Sequence, residues 1–262
     1  MQIAIHTVFI LKENILFLEE WINYHILLGF NKFYLYDNSK VNKVTGWDTR
    51  HSKTIVFGKV NKYNINYDEL VNIDENQMND YLKKLCDKYK CIEIIEWSPS
   101  DDKGNILYKQ SDAHRHCLNI MKNENIDWCA NIDMDEYIVL GNFNNIGDYI
   151  TNLPSNVKNL KIGQIRFETR FYNLNKLVTE ITNAEINDIP RNDSNKNIYN
   201  VNCTKNLTIH DAYLSSGRQI TPPVKEICFN HYKLKDEEYK HIDNIDPNIK
   251  NKLDKNAFVS II

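Results

Sequence analysis

The chain has 262 residues, of which 42% are apolar and 26% charged. That many apolar side chains can bury a core, which excludes an intrinsically disordered chain, and the length suits one α/β domain. With 32 basic against 35 acidic side chains the net charge is −3, which argues against a dedicated nucleic-acid binder, since such proteins carry a basic excess.

Residues 2–10 read as a buried strand, because the apolar run is too continuous for a one-sided surface strand. The first ten residues carry no basic n-region and no small-residue cleavage site, so a signal peptide is not expected. Residues 14–28 read as a helix, with Leu18, Trp21, Ile22, His25 and Leu28 at helical spacing and Gly29 as its C-cap. Residues 32–36 form a second strand, completing a β-α-β unit of the kind that builds parallel sheets.

Residues 40–75 are polar and irregular. A helix is expected over 76–89, a strand over 91–97 and a helix over 110–122. A strand over 128–132 runs directly into Asp133-Met134-Asp135-Glu136, and residues 137–140 are apolar again. A short helix over 145–153 is stopped by Pro154, and residues 160–167 read as a strand. The pattern fades over 173–208. Residues 224–229 are strand-like, and 236–242 read as a last helix. No stretch approaches the roughly 18 consecutive apolar residues of a membrane span. The six cysteines include no C-x-x-C pair and read as reduced, buried thiols. A cytoplasmic protein, or one peripheral to a membrane, is the expectation.

The acidic turn is the strongest local feature. Three carboxylates within four residues sit at the end of an apolar strand, where open parallel sheets bind ligands. Asp-x-Asp suits Mg²⁺ or Mn²⁺, hard cations that take oxygen ligands and keep positions for phosphate oxygens; the competing reading is a solvated turn. Lys12-Glu13-Asn14 follows strand one, either as a ligand-edge loop or as a helix N-terminus with Glu13 favoured by the dipole. Asp37-Asn38-Ser39 follows strand two, either as a ribose or base contact or as an Asx turn. His231 and Lys233 follow a late apolar run, as a metal ligand and a diphosphate partner or as structural residues; His210-Asp211 stands in a similar place. His6 and His25 lie in apolar patterns and read as core histidines. No phosphate-binding Gly-rich loop, nucleophile elbow or H-E-x-x-H is present.

In order along the chain, these pieces resemble family 2 and family 92 glycosyltransferases of the GT-A fold. Lys12-Glu13-Asn14, Leu18-Glu19-Glu20-Trp21-Ile22-Asn23-Tyr24-His25, Leu28-Gly29-Phe30 and Phe33-Tyr34-Leu35-Tyr36-Asp37-Asn38-Ser39 are similar to the family opening. Gln110, Cys117 and Trp128 through Ile138 are similar to its Q…C…W-x-x-x-I-D-x-D-E-F/Y-I segment. Phe229-Asn230-His231-Tyr232-Lys233 is similar to its late H-Y-x-x-K, although Leu234-Lys235-Asp236 stands where the family usually places Ser.

The resemblance implies a mixed, mainly parallel α/β sheet flanked by helices. It implies a single domain whose residues 1–140 bind the nucleotide sugar and whose residues 141–262 bind the acceptor. It implies a metal-dependent hexosyltransferase moving sugar from a nucleotide sugar, UDP-linked by preference, to a glycan or other hydroxyl acceptor with inversion. Asp133, Asp135 and His231 would hold Mn²⁺ or Mg²⁺. Lys12, Glu13, Asn14, Asp37, Gln110, Asp133 and Lys233 would contact the donor, and Glu136 would support the loop. Inversion requires one carboxylate as general base; Glu168 is the first candidate, with Asp211 and Asp188 behind it. Two other classes stand beside this one. A nucleotidyltransferase would be expected to carry a Gly-rich phosphate loop, and a non-catalytic carbohydrate-binding module would be expected to have lost the carboxylates.

Overall fold

The computed structural model describes residues 1–41 apart from 16, residues 74–166 and residues 195–231. Glu168, Asp188, Lys233 and the helix expected over 236–242 lie outside the described residues, as do the side chains of Lys12 and Glu13.

The chain opens with β1 (Ile3–Phe9), α1 (Leu11–Asn14), α2 (Leu18–Leu27) and β2 (Lys32–Asp37), followed by α3 (Glu75–Lys88), β3 (Ile92–Glu96) and α4 (Gln110–Asn123). Then come β4 (Trp128–Asn131), β5 (Glu136–Leu140), α5 (Ile146–Thr151) and β6 (Val157–Arg166). The last described elements are β7 (Lys196–Asn200), β8 (Thr204–Leu207), β9 (Ala212–Leu214), β10 (Arg218–Ile220) and β11 (Ile227–His231).

The helix expected over 14–28 begins only at Leu18, and a separate short helix, α1, precedes it. The Asn14 side-chain amide donates to the Ile10 carbonyl at 2.7 Å, and Phe17 has φ −123° and ψ −14°, outside the helical region. A short polar side chain that bonds locally competes with helix propagation. Gly29 ends α2 as expected, at φ +102°, where an added Cβ would lie 2.3 Å from the Asn145 side chain.

The main sheet runs β3-β2-β1-β4-β7-β6-β11-β5, with β10 pairing β6 beside it, and β8-β9 is a separate hairpin. The pairings β3-β2, β2-β1, β1-β4, β6-β11 and β6-β10 are parallel; β4-β7, β7-β6 and β11-β5 are antiparallel. This is the mixed, mainly parallel sheet flanked by helices that the resemblance implies.

Strand periodicity sorts the core into two layers. Ile3, Ile5 and Phe9 of β1 and Phe33 and Leu35 of β2 pack with Leu18, Trp21 and Ile22 of α2, Leu82 and Leu85 of α3, and Ile146 and Ile150 of α5. Ala4, Val8, Tyr34 and Tyr36 face the other way, onto Ala113, Cys117, Leu118 and Met121 of α4 and Leu207 of the hairpin. Each fully buried aliphatic side chain in these layers contributes about 1.5–3 kcal/mol.

The first connection, through α2, carries the chain from β1 to β2 on one side. The later one, through α4, brings β4 to the other side of β1. The carboxyl ends of β1 and β4 therefore flank a topological switch point, the place where open α/β sheets receive ligands.

Candidate active site

The acidic turn leaves β4 at this switch point. Two strands reach it from elsewhere in the chain. In the antiparallel pairing of β7 with β4, Asn197 lies opposite Asn131, so Lys196 stands one step beyond, level with the start of the turn. In the antiparallel pairing of β11 with β5, His231 lies opposite Glu136. Sheet register thus delivers a lysine and a histidine to three carboxylates that sequence alone holds together.

Lys196 is 4% exposed. Its ammonium lies 2.7 Å from Asp133 Oδ2 and 3.2 Å from Glu136 Oε2. Burial works against its charge, but the two carboxylates outweigh that and raise its pKa. Glu136 is buried, and burial pushes its carboxyl up to about 7 against the pull of Lys196. Its Oε2 also accepts the Asp133 backbone N–H at 2.8 Å, so Glu136 holds the turn closed. Gln110, the first residue of α4, donates from Nε2 to Asp133 Oδ1 at 3.1 Å. It follows Lys109, a non-glycine residue in the left-handed region at φ 39°, ψ 49°, a conformation that costs about 1–2 kcal/mol.

Asp135 faces His231, with Nε2 3.6 Å from Oδ2. That is too long for a direct hydrogen bond. His231 Nδ1 bonds Gln164 Oε1 at 3.0 Å; an amide oxygen only accepts, so Nδ1 carries a proton and Nε2 is the nitrogen turned to Asp135. Burial disfavours charge on this imidazole, but Asp135, with Glu136 and Asp133 behind it, raises its pKa. A carboxylate facing an imidazole nitrogen whose other nitrogen is fixed by a second residue is a donor set that suits a divalent cation with remaining positions for water and phosphate. Among the described residues, no group of three His, Cys, Asp or Glu side chains converges on one ion position. Of the expected trio, the structure brings Asp135 and His231 together and engages both oxygens of Asp133 with Gln110 and Lys196.

The helix motif of the opening segment serves this turn from behind. Trp21 Nε1 donates to the Glu136 carbonyl at 2.9 Å, and the Tyr24 hydroxyl donates to the Ile138 carbonyl at 2.7 Å. The Ile138 N–H donates to His25 Nε2 at 3.3 Å. Glu136 and Ile138 are two residues apart, so their backbone groups share the side of β5 turned away from β11. The motif therefore satisfies an edge strand and fixes where the acidic turn ends.

The remaining expected residues lie as follows. Asn14 is buried and its amide is engaged by Ile10. Asp37 accepts from the backbone N–H of Ser39 at 3.0 Å and from its hydroxyl, an Asx turn; burial raises its pKa against those bonds. Ser39 Oγ in turn accepts the Leu11 N–H at 2.9 Å, tying the ends of β1 and β2. Asp211 sits in the β8-β9 turn, 2.9 Å from Lys161 Nζ. Sequence reasoning did not find Lys196 or Gln164. Lys196 lies in the stretch where the sequence pattern fades and Gln164 on the strand expected over 160–167, and only the sheet register joins them to the site.

No helix among the described residues is long and apolar enough to cross a membrane, and all six cysteines are free. Among solved structures, the chain is similar to that described as "The crystal structure of apo- UDP-glucose pyrophosphorylase", at 9% identity over 88% of this chain and 90% of that one, with a TM-score of 0.30. A likeness of that size carries no weight for function. No curated protein matches. The model of glycosyltransferase family 92 matches residues 65–258, close to three quarters of the sequence, and the chain belongs to that family.

Proposed function

We propose that this family 92 chain is a metal-dependent hexosyltransferase that moves sugar from a UDP-sugar to a hydroxyl of a glycan acceptor, with inversion. The observation that carries the reading is the facing pair Asp135 and His231, set beside Asp133 at the switch point. These two side chains would hold Mn²⁺ or Mg²⁺. When bound, the ion supplies positive charge against the diphosphate as it departs.

The residues of the chain do the rest. Gln110 orients Asp133 toward the donor, and Gln164 holds the His231 ring. Asp37 and the Lys12-Glu13-Asn14 segment are assigned to the nucleoside side of the donor, and Lys233 to its diphosphate. Glu168 is assigned as the general base that takes the acceptor proton, with Asp211 second.

The test is thermal melting with UDP, with and without Mn²⁺. A ligand present at about 100 times its Kd stabilises the folded state by about 2.7 kcal/mol, worth roughly 5 °C or more in a chain of this size. The expected shift requires both UDP and Mn²⁺ and disappears in Asp135→Ala. A cooperative melt with no such shift from UDP or any UDP-sugar would sink the reading.

A further inference from the structure

We propose that Lys196 is a positioning residue for transfer: its ammonium fixes the Asp133 carboxylate at the donor edge and offsets the charge of Glu136, so that the acidic turn can accept a nucleotide diphosphate. The proposal rests on the glycosyl-transfer reading above.

Three observations carry it. The first is order of depth. The side chains of Glu136 and Lys196 are 3% and 5% exposed, whereas that of Asp133 is 36% exposed. The ammonium thus links a carboxylate inside the protein to one at its mouth. The second is distance. A lysine present only to neutralise the buried Glu136 would sit closest to it, yet Asp133 is the nearer partner, at 2.7 Å against 3.2 Å. The third is convergence. Gln110 takes Oδ1 of the same carboxylate while Lys196 takes Oδ2, so Asp133 is held from an α-helix and from a β-strand at once.

The electrostatic argument runs the same way. An anionic diphosphate approaching three carboxylates meets repulsion that grows as water is excluded. One ammonium, buried in a low-dielectric setting, cancels one of those charges without occupying the face the donor reaches. A charge-assisted bond to a buried lysine also keeps a carboxylate in one orientation better than a solvated contact does.

The test uses the full chain, with UDP and Mn²⁺ as the probe, read by calorimetric titration and thermal melting. Lys196→Met is expected to melt lower, because two carboxylates then face each other without their cation. The double variant Lys196→Met/Glu136→Gln removes that conflict and is expected to recover the melting temperature. Its UDP affinity is nevertheless expected to stay about tenfold or more below wild type, the worth of one hydrogen bond to a charged group, while Lys196→Arg stays within about threefold. Recovery of UDP affinity together with the melting temperature in the double variant overturns the proposal, since Lys196 would then serve the fold alone. A folded Lys196→Arg that binds as weakly as the methionine variant overturns it too. Failure of the wild-type chain to bind UDP in Mn²⁺ is a different result: it removes the glycosyl-transfer reading, and the proposal with it.

Discussion

Two histidines flank β5, and their surroundings drive them in opposite directions. His25 is pushed down to about 3 by burial; it stays neutral, donating from Nδ1 to the Trp21 carbonyl and accepting the Ile138 N–H at Nε2. His231, turned toward Asp135, has its pKa raised. The first is a fastener and the second a ligand candidate, although in the sequence both are single histidines beside apolar residues. Replacement of His25 by Phe is expected to leave the Ile138 N–H without an acceptor, at a cost of about 1–3 kcal/mol. Tyr24→Phe removes one donor from the Ile138 carbonyl, in a part-buried bond, and is expected to cost about 1 kcal/mol. Urea unfolding midpoints check the order, and a Tyr24→Phe chain less stable than His25→Phe would contradict this account of the edge.

At the scale of elements, α2 and α3 are joined by a small ionic lock. Glu19 Oε1 accepts from Lys88 Nζ at 2.6 Å and from the Tyr89 hydroxyl at 2.8 Å. Glu19 is 7% exposed, whereas the Lys88 side chain is half open to solvent, which screens the pair. Glu19→Gln keeps an acceptor and is expected to lower stability by about 1 kcal/mol, with Glu19→Ala costing more because Tyr89 and Lys88 both lose their partner. Chemical denaturation distinguishes the two. The helices and strands up to residue 140 were legible because each is amphipathic or continuously apolar and is bounded by turn residues. Of the strands after 195, β11 was legible as the strand-like run over 224–229, while β7 to β10 were not. Lys196-Asn197-Ile198-Tyr199-Asn200 is mostly polar, and its polar members are satisfied only by residues far along the chain, such as Asn159 for Asn197. The acidic turn was legible as a candidate site, while the lysine that sits in it was invisible, since nothing local in the sequence announces a buried cation.

For the whole molecule, pH stability follows from which groups are buried. His6 and His25 are both pushed down to about 3 by burial, and His114 is lowered well below its ordinary range for the same reason. The unfolded chain takes up protons at these positions near 6.5, and the folded chain does not until far lower pH. The stability they confer is present above about 6.5 and is lost as pH falls toward 3, by up to about 1.4 kcal/mol per pH unit for each proton. Glu136, raised from 4.5 to about 7, has the opposite sign: its contribution is present below 4.5 and lost as pH rises through 7. Three histidines outweigh the two carboxyls that burial raises, Glu136 and Asp37, so melting temperature is expected to fall steadily from pH 6.5 to 4. The slope should be shallower by about one proton in His25→Gln, which keeps a donor and an acceptor. A flat profile over that range would contradict the assignment of these histidines as buried and neutral.

The pairing of Lys196 with Asp133 spans 63 residues, and the same strand that carries Lys196 closes the outer side of β4. On a ribosome adding about 5–20 residues per second, β4 and its three carboxylates wait roughly 3–13 s for β7. During that interval the nascent chain exposes an unpaired strand edge beside uncompensated negative charge. A chain stopped at residue 166 is expected to be sticky and to melt without a cooperative transition. The acidic turn is thereby completed only by a strand made 63 residues after it.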